Sequence, residues 1–367
     1  MDGRDEDGNT PLQCAIAADQ IPIVDLLLAS GTDVRGAKGS GMPAVFYAAS
    51  VGRVDLAQLF IRRGADVNQK SVSGQPYFVD VSAKQNVNGV RILLENGADP
   101  NSKSVSGQPV LIQAIRAGNV ELTSLLISHG ANPSAKDITG SSSIAIAMDK
   151  KGSGLQELLL EAGANPNSKT IHGSPVLTNA ISLRDFDFAR LLLSRGANGD
   201  ASDHTGQRAI TKIIRDNKLS DAFKLDFVKN LLQHGANPRS NESSSGHSVL
   251  WYAIDQRNRD LVRLLLQHGA SATSKHDGET ILVKAIATHD YDTVGELLAH
   301  GADPNAKDSQ KQCPLMLAIV RRDLALIQLL RRHGATQIMP GVTITSELVR
   351  ALTQPEVGKA LGLHQGS

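Results

Sequence analysis

A 33-residue period constrains this chain more than any other feature. The heptapeptide KSVSGQP occupies residues 70–76 and recurs 33 residues later at 103–109. Aligning on a Gly-Ala pair extends that register to Gly31-Thr32, Gly64-Ala65, Gly97-Ala98, Gly130-Ala131, Gly163-Ala164, Gly196-Ala197, Gly235-Ala236, Gly269-Ala270, Gly301-Ala302 and Gly334-Ala335. The spacing is 33 residues five times running, then 39, 34, 32 and 33. A fixed period of this size marks stacked repeats, which grow in one dimension and need no single large core. The reading is therefore one array of ten units over residues 1–336 and a tail over 337–367, and a domain count taken from length does not apply.

A second glycine sits 23 residues before most of these pairs, at Gly8, Gly41, Gly74, Gly107, Gly140, Gly173, Gly246 and Gly278. Lys311 takes that slot in unit ten. In unit seven Gly206 precedes Gly235 by 29 residues, so six residues are inserted within 215–230. Two helical patterns lie between the glycines. In 109–118 Leu111, Ala114 and Ile115 share a face; in 121–130 Leu122, Leu125 and Leu126 do. Ala15, Ala48, Ala114, Ala147, Ala180, Ala253, Ala285 and Ala318 repeat in the first helix, where helices must approach closely. None of the fourteen prolines falls in a helix interior, where each would cost about 3 kcal/mol.

These residues resemble the ankyrin repeat, a β-turn finger plus two antiparallel helices with the signature T-P-L-H-x-A. The likeness is clearest in 5–34 and 120–133 and covers about nine tenths of the chain. It implies an all-α fold, an α-solenoid of stacked helix-turn-helix repeats with β-turn fingers. It also implies protein binding through finger tips and the concave side of the first helices. The departures carry expectations of their own. Gln13 replaces the His, and Pro43, Pro76, Pro109 and Pro175 stand where Thr caps the helix. Those helices are expected to begin one residue earlier, at Gln75, Gln108 or Ser174. Asn230 and Glu296 replace buried aliphatics in units seven and nine, marking these for local opening. Insertions in such arrays map to loops on one face, so this one either serves binding or is a neutral lengthening. Thr353, Pro355 and Glu356 read as a capping box in a helical tail that covers the last repeat.

A formal net charge of +1 with no basic block argues against nucleic acid and membrane as partners. No apolar run approaches a membrane span, and the start lacks a signal peptide, so the localisation expected is cytoplasmic, with a non-classical or effector route of secretion left open. Cys14 and Cys313 lie far apart and read as small core residues. His129, His234, His268, His300 and His333 are one repeat position read five times, placed to meet the last carbonyls of a helix. No zinc spacing, nucleotide loop or nucleophile elbow is present, so no catalytic residue, metal or cofactor is expected and the chain is read as not an enzyme.

What remains is binding. The second finger position of units three to six holds Val72, Val105, Ile138 and Ile171, a β-branched aliphatic on four neighbouring fingers. Further on the slot holds His204, Ser244, His276 and Ser309. The stripe either meets a partner, flanked by Arg116, Lys150 and Arg215, or packs finger on finger. The function expected is a non-enzymatic protein-recognition scaffold, monomeric on its own. A recognition arm of a larger protein, a bacterial effector or inhibitor, and a structural spacer stay open beside it.

Overall fold

A computed structural model of the chain describes residues 5, 9–32, 41–242, 245–336 and 355–356. Twenty α-helices with described bounds follow one another in ten pairs. The chain divides into two compact units, Met1–Ala180 with Asp185–Gly196, and Ile181–Arg184 with Ala197–Ser367.

In the first unit, pairs such as Tyr77–Ala83 with Val87–Glu95 and Val110–Ala117 with Val120–Ser128 carry the fold. Leu111, Ala114, Ile115, Leu122, Leu125 and Leu126 are all buried, and so is each of the eight repeating alanines. The helix hairpins turn on Gly52 and Gly118, or on a non-glycine held at positive φ such as Gln85. Five of the second helices start on an Asn or Asp side-chain cap, among them Asn86, which accepts from Gly89 N at 3.0 Å, and Asn119, which accepts from Leu122 N at 2.9 Å. Five second helices end on the repeated histidine, whose Nδ1 meets a carbonyl four residues back in four cases, at 3.0 Å for His129 and 2.8 Å for His234. That is the C-terminal placement the repeat position implied. Packing is tightest at Gly89, where an added Cβ would stand 1.9 Å from the Ala49 carbonyl oxygen.

The second unit repeats the plan from Ala209–Arg215 to Leu324–Arg332. The insertion of unit seven is not the expected loop. Most of it lengthens the second helix, Asp221–Gln233, to thirteen residues against nine in Val120–Ser128. Ser220 caps the longer helix, and its extra turn continues the amphipathic pattern, with Lys224 buried and bonded to Gln256 Oε1 at 2.6 Å. Glu296 is met by Arg263 at 2.9 Å, whereas Asn230 Oδ1 is buried with no bond among the described residues.

Two more expectations change. The helices after Pro76, Pro109 and Pro175 begin one residue after the proline, not before it. Their first N–H groups belong to the finger: Tyr77 N donates to Gln69 O, Val110 N to Ser102 O and Val176 N to Ser168 O. Pro76 and Pro109 keep the extended cap conformation with no side-chain bond, and Gln75 and Gln108 are not caps. Cys14 is exposed because the core face of its helix takes Leu12, Ala15 and Ile16, while Cys313 is buried as expected. Gln13 does bond its own cap, Thr10, and donates to Met42 O at 2.6 Å, tying unit one to the next. Of the tail, all but Pro355 and Glu356 lies outside the described residues.

Candidate protein interface

Each finger of repeats three to six, in the first unit, is a four-residue turn closed by two backbone bonds. Ser71 N donates to Gln75 O at 2.8 Å and Gly74 N to Ser71 O at 2.9 Å, and the same pair recurs at Ser104, Asp137 and Thr170. The last turn residue is glycine at φ 82°, 85°, 87° and 77° for Gly74, Gly107, Gly140 and Gly173, a region that a side chain disfavours. The second turn residue has its backbone committed and its side chain at the tip. Val72, Val105, Ile138 and Ile171 occupy that place and are 88%, 64%, 60% and 58% exposed. They make up four of the ten large hydrophobics exposed among the described residues. A Cβ on Gly107 would lie 4.0 Å from Ile138 Cγ2, so Ile138 reaches toward the neighbouring finger yet leaves most of its surface in solvent.

The first turn residue supplies the polar bonds that Thr and His do not. Ser104 Oγ accepts from Gln108 N at 3.1 Å and pairs with Ser106 Oγ at 2.7 Å. Asp137 accepts from Thr139 N, Thr139 Oγ1 and Ser141 N at 2.7 to 2.9 Å, and from Arg116 at 2.6 Å. Burial alone would raise its pKa, but those bonds and the Arg116 charge outweigh it and hold the carboxyl below the ordinary aspartate value.

Arg116, Lys150 and Ile171 line one open depression of about 600 Å³ together with Asp137, Asp149 and Ile146. Lys150 reaches it because the first helix of unit five, Ser143–Ala147, tightens into a 3₁₀ turn at Met148–Lys150. The first unit thus joins three of the expected residues in one hollow, with Val72, Val105 and Ile138 on neighbouring fingers. Arg215 belongs to the second unit, where it pairs with buried Glu242 and lies 5.2 Å over the Tyr252 ring.

In repeat nine, in the second unit, the finger slot is put to other use. His276 packs on His247 at 3.6 Å between centroids, the rings tilted by 39°, and meets the Trp251 edge at 5.7 Å. Burial and the neighbouring His276 hold His247 below the ordinary histidine pKa. These rings line a separate depression of about 500 Å³ with Asp277, Glu279 and Asp308. His204 and Ser309 are exposed, and Ser244 lies outside the described residues.

One set of residues escaped the reading of the sequence. Asn68 Nδ2 donates to Gly97 O at 2.8 Å and its Oδ1 accepts from Asp99 N at 3.1 Å; Asn101 does the same with Gly130 and Asn132, and Asn305 with Gly334 and Thr336. Each Asn clamps its unit to the next. The 33-residue recurrence of Asn68 and Asn101, with Asn167 bonded to Gly196 O at 3.2 Å, was the available clue.

The chain matches the family model described as ankyrin repeats (3 copies) at residues 1–71, 79–170, 177–276 and 219–308. Among solved structures it is similar to an ankyrin repeat domain from Acinetobacter baumannii AYE. The two are 30% identical, over 51% of this chain and 98% of that one, at a TM-score of 0.47. No curated protein matches it. Ankyrin repeats are in general protein–protein interaction modules. Since the family match spans well over half of the sequence, the chain belongs to the ankyrin-repeat family.

Proposed function

We propose that this chain is a non-enzymatic recognition module whose first unit seats a partner protein across the tips of fingers three to six and the depression beside them. The observation that supports it is the exposure of Val72, Val105, Ile138 and Ile171, each more than half in solvent at one repeated position. Four β-branched side chains spaced by the repeat, about 10 Å apart at the usual distance between packed helices, make a ribbon of apolar surface. Arg116 and Lys150 supply polar and charged contacts at its side, in keeping with an apolar strip and a polar rim.

The test is the double substitution Val105→Asp with Ile138→Asp. Native and variant chains, matched by circular dichroism, are immobilised in parallel and the retained proteins identified. A protein held by the native chain and lost to the variant is the expected result. Identical retained sets overturn the reading and leave the chain as a spacer.

A further inference from the structure

The exposed aliphatics do not stand alone on their fingers. Two residues before each is a lysine: Lys70, Lys103, Lys136 and Lys169. Each lies in the finger strand, bridged to Pro76, Pro109, Ser142 and Pro175 respectively. The repeat therefore carries the lysines up one column as it carries the aliphatics up another.

All four lysines are exposed. Among the described residues the lysines held in ion pairs are Lys151, Lys212 and Lys284, and none of the four is among them. The carboxylates close by in sequence are spent on local structure. Asp137 is taken by its own turn and Arg116, while Asp66 and Asp99 accept the N–H groups of Asn68 and Asn101 at 2.8 and 2.9 Å. Like charges one repeat apart, about 10 Å, repel one another across roughly one screening length. Among the described residues no ion pair to these lysines offsets that repulsion, whereas an anionic partner would.

The chemistry of the tips narrows the anion. Ser73, Ser106, Thr139 and His172 complete the four turns, so no Trp, Tyr or Phe stands there to stack on bases or to sit among lipid headgroups. Each cation is instead paired with a β-branched aliphatic, which calls for carboxylate and apolar side chains on one strand of partner. We propose that the occupant of this face is an acidic protein segment. In it Asp or Glu residues meet Lys70, Lys103, Lys136 and Lys169, and interleaved aliphatic side chains pack on Val72, Val105, Ile138 and Ile171. This rests on the fingers of the first unit being the partner-binding face.

A random-peptide display library selected against the full chain tests both layers separately. The expected peptides are enriched in Asp or Glu and in Val, Ile or Leu. Their binding weakens as salt rises, falls at least tenfold with Lys103→Glu plus Lys136→Glu, and survives Lys103→Arg plus Lys136→Arg, which keeps the charges. It also falls with Val105→Ser plus Ile138→Ser. Peptides that respond to the Val and Ile changes but are neutral or basic, and ignore the lysine reversals, overturn the acidic occupant and leave the binding face standing. Peptides indifferent to both sets overturn the binding face itself. Failure to select any peptide overturns a linear acidic segment. Titration with polyuridylate RNA and with phosphatidylserine vesicles supplies the remaining arm. Tight binding of either that ignores the Val and Ile changes assigns the lysine column to a polyanion or a membrane and overturns the proposal.

Discussion

The fingers of repeats six and nine, one in each unit, differ both in their turn and in where the residue of the tip slot goes. Ile171, on a four-residue turn of the first unit, leaves 58% of its surface in solvent; His276, in the matching slot of the second, lies in the short strand Lys275–His276 and keeps only 19% of its side chain exposed, with His247 and Trp251 against the ring. The slot therefore does not force exposure. Where the neighbouring helix offers an aromatic, the tip is drawn into the fold, and where it offers Ala145 and Ile146 beside a polar hollow, the tip stays out. Exposure of the Val and Ile tips is thus not a requirement of repeat stacking, which is what makes those tips available for another role.

The sharpest way to break this comparison is to remove the aromatic anchor. Trp251→Ala should cost about 3–5 kcal/mol of the second unit's stability, read from urea unfolding by circular dichroism, because Trp251 is 8% exposed and carries contacts from both histidines and Lys284. A loss below 1 kcal/mol would mean that the ring cluster holds nothing.

Next in size is Gly89→Ala in the first unit, at about 3 kcal/mol, since the new methyl meets a backbone oxygen that can yield only if the helix Val87–Glu95 moves. Trp251 is the one tryptophan of the chain and reports the second unit. Helical signal should then be lost at lower urea than the fluorescence change, whereas the two transitions of the native chain lie closer together.

A smaller effect comes from the turn caps. Asp203 in the second unit is partly buried, which alone would raise its pKa; bonds from Lys212, Thr205 and Gln207 more than offset that and lower it from 3.8 to about 2. The unfolded chain therefore takes up the proton first as pH falls, so the stabilisation is complete above pH 4 and lost on the way to pH 2. Asp203→Asn should cost about 1–2 kcal/mol at pH 7, and the gap between variant and native chain should close toward pH 2. A gap that is constant with pH would assign the effect to geometry and not to charge. Asp137→Asn, in the first unit, should act in the same direction.

Much of this was legible in the sequence. Period, glycine slots and apolar faces placed the helix pairs, because a repeat writes the same physical requirement many times and noise averages out. The finger tip was legible for the same reason. Features that depend on one contact were not. Gly89 lies off the repeated glycine slots, and only the backbone approach to Ala49 explains it. The prolines misled because their missing N–H was weighed against a helix start, whereas the next N–H was already claimed by the finger carbonyl. The insertion misled because its added residues, Asp221 to Lys224 among them, could extend a helix as readily as a loop. Arg215 could not be separated from Arg116 by pattern alone, since the buried Glu242 that engages it comes from the next finger.

The smallest expected effect is the one that matters most to the comparison. Val105→Asp with Ile138→Asp replaces two side chains that are 64% and 60% exposed, on turns whose backbone bonds and serine or aspartate caps do not involve them. Surface changes away from such features stay within about 0.5 kcal/mol. Each new carboxylate also comes two residues from an exposed lysine, Lys103 or Lys136, which makes its introduction easier still. Urea unfolding should therefore superimpose on that of the native chain, in contrast to Trp251→Ala. A loss of 2 kcal/mol or more would show instead that the aliphatic tips stiffen the ladder as His276 does, and the stripe would then belong to the fold and not to a partner.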